Sequence, residues 1–193
     1  MGLFDKSQNE EVRQVSERQK LEGRYASARS DILYVLLFTV INVILLLTNS
    51  DTYFLFSAYI PYLLVGVGMT LCGKFPAEYY EDMGEVFFFD DALLWITVGI
   101  AAVICVSYLL CWLLSKKGRV GWLIFALVMF AIDTILMLLM DGVGFENIID
   151  VLFHGWVVVT MVMGIVAHFK LKKLPQEVPE TFCQDVPGMP AQE

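Results

Sequence analysis

The sequence predicts an all-α integral membrane protein, a bundle of about five transmembrane helices. Hydrophobic residues make up 58% of the 193 residues and charged residues only 18%, and the mean hydropathy is +0.65. The apolar residues are concentrated in five blocks, at about 32–48, 53–72, 92–114, 120–140 and 148–169. Each block approaches the ~20 residues that a helix needs to cross a ~30 Å hydrocarbon layer. Runs this continuous do not suit barrel strands, so helices must satisfy the backbone in lipid.

Both ends of the chain are polar. Residues 6–30 place opposite charges four positions apart, as in Arg13 and Glu17, which favours a solvated helix. We therefore expect residues 1–30 to form a polar cytoplasmic helical segment ahead of a transmembrane domain at 31–170. Residues 174–193 contain four prolines and several acids. Such a composition cannot bury a core, and we expect a flexible tail over 171–193.

The positive charges give conflicting information on topology. Clusters at 115–119 and 170–173 place the loop after block three and the C-terminus in the cytoplasm of a multi-pass cell-membrane protein. The N-terminal segment holds six of the thirteen Lys and Arg residues and favours the same side. Five strict crossings would separate the two ends. If block 53–72 does not cross, twelve of the thirteen are inside and only Lys74 is outside.

Two interpretations of block 53–72 are therefore open. The block contains Pro61 and glycines at positions 66 and 68. It is either a proline-kinked span, or a broken or re-entrant segment that needs protein or water around its backbone.

The partners that we expect follow from charge and size. Residues 74–91 carry six acids and one lysine, which argues against nucleic acid or anionic lipid on that side. Five short spans bury little surface against one another. Besides the lipid bilayer, we expect a second copy of the chain or another membrane protein as partner.

Asp133 is the one charged residue in the stretch VMFAIDTILMLLM, residues 128–140. A carboxylate near the bilayer centre costs about 2.5–3.5 kcal/mol on insertion scales, so it should face the bundle interior and have a partner. In the following block, Asp150 and His154 are four residues apart and share one helix face, with Asn147 on the same stripe. An antiparallel hairpin with its turn near 142–143 places Asp133, Asp150 and His154 at similar depth.

Three interpretations of this predicted layer of Asp133, Asp150, His154 and Asn147 are open. It is a polar clasp between the last two helices, in which Asn147 and Asp150 also serve as the first residues of the fifth helix. It is a proton- or ion-handling site, because intramembrane Asp and His residues mark such paths. Or two carboxylates and one histidine hold a metal ion, although no second histidine lies nearby and the H-E-x-x-H spacing is absent.

Other polar positions in the apolar blocks are secondary candidates. Asn42 suits a hydrogen bond between helices, whereas Pro61 and Tyr62 would line a cavity if block 53–72 is broken. The P-loop, nucleophile-elbow and zinc-protease motifs are absent from the sequence. We therefore expect no catalytic residue, no cofactor and no metal.

Three segments carry a resemblance to other proteins. They are TNSDTYFLFSAYIPY at 48–62, GWLIFALVMFAIDT at 121–134 and IIDVLFHGWVVVTMVMGIVAHFKLKKLP at 148–175. Together they resemble small multi-span membrane proteins of bacteria to which no activity is assigned. The resemblance implies a bacterial membrane protein and no particular function. We expect an interaction or accessory subunit, and the alternative is a proton- or cation-coupled transporter or channel-like protein that uses the same layer.

Overall fold

The computed structural model describes residues 3–83, 87–145 and 147–175, and over these residues it contains helices and no strand. Two short 3-10 helices, Ala77–Met83 and Lys116–Gly118, lie in connections. The α-helices are α1 (Leu3–Leu47), α2 (Tyr59–Leu71), α3 (Asp91–Leu114), α4 (Val120–Met140) and α5 (Ile148–Leu171). The all-α prediction is confirmed.

Four helices of the described residues are long and apolar enough to cross a membrane. They are the Val15–Leu47 part of α1 together with α3, α4 and α5. By their length and composition, these helices suggest a multi-pass membrane protein, as the sequence predicts. The exception is α2, whose 13 residues extend about 20 Å and fall short of a ~30 Å layer.

The expectation of five full-length spans is therefore not met in the part of the chain that the structure describes. Block 53–72 is broken, because its residues before Tyr59 are not helical. The predicted boundary at residue 30 is not a break in the helix, since α1 runs for 45 residues through the polar segment and the first apolar block. Residues 176–193, most of the predicted tail, lie outside the described residues.

The four long helices pack as an antiparallel bundle. Near the start of the bundle, the Tyr25 hydroxyl donates to the carbonyl of Ser115 at the end of α3, at 2.7 Å. The Tyr25 ring also lies 5.4 Å from that of His168, near the end of α5. The guanidinium of Arg29 donates to the carbonyl of Trp112 at 3.3 Å, which places a cation at the negative end of α3. Thus α3 and α5 both run opposite to α1.

Close packing holds α1 against α5 at one glycine. A Cβ added at Gly164 would collide with the Ala28 side chain and would lie 3.3 Å from the carbonyl oxygen of Arg24. In lipid, burying apolar side chains between helices gains little from the hydrophobic effect, so close van der Waals contact between small residues matters more. The surrounding core consists of fully buried side chains, among them Ile32, Val35, Tyr108, Leu123, Phe130 and Met161.

The segment between α1 and α3 enters and leaves the bundle at the same end. The Asn49 side chain, just after α1, donates to the carbonyl of Lys74, just after α2, at 3.1 Å. The first residue of α2 lies beside Asp133 of α4. Asp133 is seven residues before Met140, the last residue of α4, so α2 begins about 10 Å from that end of α4 along the helix axis. The non-helical residues after α1 therefore run into the bundle, and α2 runs back toward the end of the bundle at which α1 stops.

We predict that Gly164→Ala lowers the free energy of unfolding in detergent micelles by about 1–3 kcal/mol, the usual cost of overpacking. The control is Gly155→Ala in the same helix, where an added Cβ meets nothing within 4 Å. That control should leave stability unchanged or raise it by up to about 1 kcal/mol, because alanine is the better helix former. Equal effects of the two substitutions in a thermal or chemical unfolding series would contradict the packing described for α1 and α5.

Candidate functional site

Asp133 caps the first turn of α2. Its Oδ1 accepts a hydrogen bond from the backbone N–H of Ile60 at 2.7 Å, and its Oδ2 accepts one from the N–H of Tyr59 at 2.8 Å. The first N–H groups of a helix have no partner within the helix and carry a partial positive charge. Ala58 stands at the N-cap position and has no side chain that caps. The carboxylate of α4 therefore supplies what an N-cap side chain usually supplies.

His154 lies on the other side of the same carboxylate. Its Nε2 is 3.5 Å from Asp133 Oδ2, and its Nδ1 is 2.9 Å from the backbone carbonyl of Asp150. Because a carbonyl oxygen only accepts hydrogen bonds, Nδ1 carries a hydrogen and Nε2 is the ring atom that meets the carboxylate. The ring stacks on Phe130 with 5.0 Å between centroids and 8° between planes. This contact fixes the orientation of the imidazole.

The predicted layer is therefore present in part. The structure brings Asp133 and His154 together, whereas Asp150 contributes its backbone carbonyl and its buried Oδ1 has no hydrogen-bond partner within the described residues. Asn147 stands apart: its Oδ1 accepts from the N–H of Gly144 at 2.8 Å, and its Nδ2 donates to the carbonyl of Gly142 at 2.8 Å.

Asn147 thus organises the turn between α4 and α5 and does not join the layer. The turn includes the predicted position near 142–143 but lasts until Asn147, the residue before α5 begins, and this keeps Asn147 in the loop. It stands at the N-cap position of α5, but its side chain makes no capping hydrogen bond. The predicted place of Asn147 in the layer was therefore wrong.

A second set of polar side chains holds the non-helical chain before α2. Asn42 of α1 pairs in both directions with Phe54: its Oδ1 accepts from the Phe54 N–H at 2.8 Å and its Nδ2 donates to the Phe54 carbonyl at 2.6 Å. The same Nδ2 lies 2.8 Å from the Ser57 hydroxyl. Thr39 Oγ1 accepts from the N–H of Ala58 at 2.7 Å. The three N–H groups of residues 58–60 are thus all satisfied by side chains of other helices.

The secondary candidates Pro61 and Tyr62 both lie in the first turn of α2. Pro61 is buried as the third residue of α2, where the missing N–H costs nothing because that group would have no partner within the helix. It marks the start of a helix and does not kink a span. Tyr62 packs edge-on against Tyr53, with 5.1 Å between ring centroids.

Asp133, His154 and Asn42 are closed to solvent, whereas Asp150 is half-buried. Asp133 and His154 are each 1% exposed, and Asn42 is also 1% exposed. Burial of this degree is tolerated because the oxygens of Asp133 and the amide of Asn42 make hydrogen bonds. Within the described residues, no three His, Cys, Asp or Glu side chains are grouped so that they could hold a metal ion.

Sequence reasoning missed two polar contributors. Thr39 lies three residues before Asn42 and shares its helix face, a spacing that was visible in the sequence. Asp31 is 6% exposed and accepts a hydrogen bond from the Thr160 hydroxyl at 2.6 Å. Asp31 is the first residue of the predicted transmembrane domain and stands just before the apolar block at 32–48, and no role was predicted for it.

No family model, curated protein or solved structure matches this chain.

We predict that Asp133→Asn lowers the free energy of unfolding by about 2–3 kcal/mol. The substitution replaces one carboxylate oxygen by an NH₂ group, which cannot accept a hydrogen bond, so one backbone N–H of α2 is left without an acceptor. The matched control is Asp141→Asn. The Asp141 carboxylate is exposed and accepts from the Tyr59 hydroxyl at 2.8 Å, and an amide oxygen replaces it there. Thermal unfolding in a mild detergent measures both variants. Unchanged or increased stability of Asp133→Asn would show that the carboxylate does not cap α2.

We predict that Thr39→Val, which keeps the side-chain shape, costs about 1–3 kcal/mol because the buried N–H of Ala58 loses its acceptor. Thr134→Val is the control, since Thr134 donates only within its own helix, to the carbonyl of Phe130. The same unfolding series should show a change of less than about 0.5 kcal/mol for the control. If the two variants were equally stable, the non-helical segment would not depend on the Thr39 hydroxyl.

Proposed function

We propose that the chain is a cell-membrane protein with four spans and a re-entrant α2, and that both of its ends lie in the cytoplasm. The support for α2 is its short length together with the Asn49 to Lys74 hydrogen bond, which joins the two ends of segment 48–74. Non-helical backbone at membrane depth is tolerated where protein surrounds it and satisfies it. Asn42, Thr39 and Asp133 do this here.

The distribution of positive charge supports the same topology. With α2 turning back, Lys74 is the one Lys or Arg of the thirteen at the end of the bundle where α1 ends, and the other twelve lie at or beyond the opposite end. Positive residues near spans are retained in the cytoplasm. This removes the conflict that five crossings create, and it assigns the 74–91 loop to the outside.

Within this topology we propose a non-enzymatic role, as an interaction or accessory subunit. The observation that carries the proposal is that both Asp133 oxygens and the Asn42 amide already make hydrogen bonds to the segment before and at the start of α2. A group that carries a proton or an ion needs access to water, and Asp133 and His154 are each 1% exposed.

The shape of α1 adds support for a role in assembly. Tyr25 already lies beside His168, near the end of α5, so the residues of α1 before about position 21 extend past the bundle. At 1.5 Å per residue, the 18 residues from Leu3 to Lys20 would project about 27 Å. We propose that this projecting helix and the bundle act with a second copy of the chain or another membrane protein.

A second function has one observation in its favour. A helix that begins inside the membrane beside ionisable side chains is a common arrangement in secondary transporters, and α2 begins beside Asp133 and His154. The alternative is therefore a proton- or cation-coupled transporter in which the closed layer opens during a cycle. In that case the charge of Asp133 would serve transport as well as the fold.

Proton flux separates the two functions. We expect liposomes that contain the purified protein and a trapped pH dye to dissipate an imposed pH gradient no faster than protein-free liposomes. His154→Gln should leave that rate unchanged. The matched control is His168→Gln, which removes the other buried histidine, at the opposite end of the bundle.

Flux above the protein-free rate would favour the transporter if His154→Gln abolished it and His168→Gln did not. In that case the accessory role would be overturned. Repeating the assay with sodium and potassium gradients extends the test to cations.

A further inference from the structure

The loop at the outer end of the bundle is held in place by contacts with the end of α2. The Tyr80 hydroxyl donates to the carbonyl of Met69 at 3.3 Å, and the Tyr80 ring meets that of Phe88 edge-on at 5.2 Å. The N–H of Phe89 donates to the carbonyl of Leu71 at 2.8 Å. Loop residues on both sides of 84–86 are thus held against the end of α2. We call the described residues 74–83 and 87–91 the outer platform.

The outer platform exposes large apolar side chains. Phe87 is 90% exposed and Phe89 is 56% exposed, although the backbone beside them is anchored. Three more large side chains of the platform, Tyr79, Met83 and Phe88, are 46–48% exposed. Single exposed apolar residues are ordinary, but several on one short anchored segment indicate a contact surface.

The charges of the outer platform are almost all negative. Glu78, Glu81 and Asp82 are exposed on the 3-10 helix, and Asp90 and Asp91 directly follow the phenylalanines. The one cation, Lys74, lies 2.6 Å from Asp91, and that hydrogen bond raises the pKa of the lysine. Its charge is therefore retained and already paired, which leaves a surplus of negative charge around the exposed rings.

These features select one kind of occupant. Acids next to exposed rings disfavour insertion of the rings into a bilayer, because a carboxylate that enters the hydrocarbon layer loses its hydration. A protein segment that carries Lys or Arg satisfies both features, since its cations pair with the acids and lie over aromatic faces while its apolar side chains cover the phenylalanines.

We propose that the outer platform is the docking surface for a positively charged protein segment with apolar side chains. The proposal rests on the role of the chain as an interaction subunit, and it gives the chemistry of the partner. The acids give orientation and a salt-sensitive encounter. The exposed rings give the contact area that exposed ion pairs alone do not provide.

The test is the binding of a labelled peptide to the whole chain in nanodiscs of phosphatidylcholine, followed by fluorescence anisotropy. The probe is a short peptide of lysine, leucine and alanine, and the control peptide has glutamate in place of lysine. We expect saturable binding of the lysine peptide only, weakened by added salt. Empty nanodiscs give the background.

The charge variant is Glu78→Gln with Glu81→Gln. Its matched control is Glu17→Gln with Glu22→Gln, which removes two exposed acids from α1 at the other end of the bundle. We expect about fivefold weaker binding for the charge variant, as for the loss of two exposed ion pairs, and no change for the control. Phe87→Ser, at a side chain that is 90% exposed, should also weaken binding by at least about threefold.

Equal binding by all variants would overturn the proposal, as would binding no stronger than that to empty nanodiscs. Loss in the charge variant with unchanged binding by Phe87→Ser would overturn it too, because the proposal requires the rings. These outcomes are independent of proton and cation flux. If the protein shows no flux and does not bind the peptide, only the docking surface is overturned. Flux that depends on His154 would overturn the accessory role instead.

Discussion

The fold depends on one buried carboxylate that faces the start of a helix within the membrane domain. Asp133 accepts from the N–H groups of Tyr59 and Ile60 and so neutralises the positive end of α2. Without an acceptor there, two buried backbone N–H groups would have no hydrogen-bond partner, which is costly in lipid. The opposite pairing occurs at the end of α3, where the cationic Arg29 meets a carbonyl of the last turn. Asp133 and Arg29 thus each place a charge of the sign that the neighbouring helix end favours.

The capped start of α2 explains why an apolar block of spanning length is divided. Residues 51–58 are not helical and pair with no strand in the part of the chain that the structure describes, so the backbone groups of Phe54 and Ala58 depend on side chains of α1. Asn42 and Thr39 meet that need from α1, and Asp133 meets it from α4. The local cost of irregular backbone is offset by hydrogen bonds that are stronger for being buried. His154 supports the arrangement from the far side of the carboxylate.

Hydropathy predicted the four long helices, and insertion cost together with hairpin geometry predicted that Asp133 would have a polar partner in α5. The rest required tertiary information. Tyr59 and Asp133 are 74 residues apart, and nothing local in block 53–72 shows that a distant carboxylate ends its non-helical part. Asn147 stays in the turn because the turn extends to that residue, and the sequence does not show to within a few residues where a turn ends. The role of Thr39 could have been predicted from the sequence, since Thr39 shares a helix face with Asn42.

The most direct test of this account is the side of the membrane reached by the two ends of segment 48–74. In a chain without its native cysteines, Asp51→Cys and Glu78→Cys introduce exposed thiols before and after α2, and Arg119→Cys reports on the other end of the bundle. The account predicts that a membrane-impermeant maleimide labels the first two positions in intact cells and the third only after permeabilisation. Labelling of Asp51→Cys and Glu78→Cys from opposite sides would show that α2 crosses the membrane and would contradict the account.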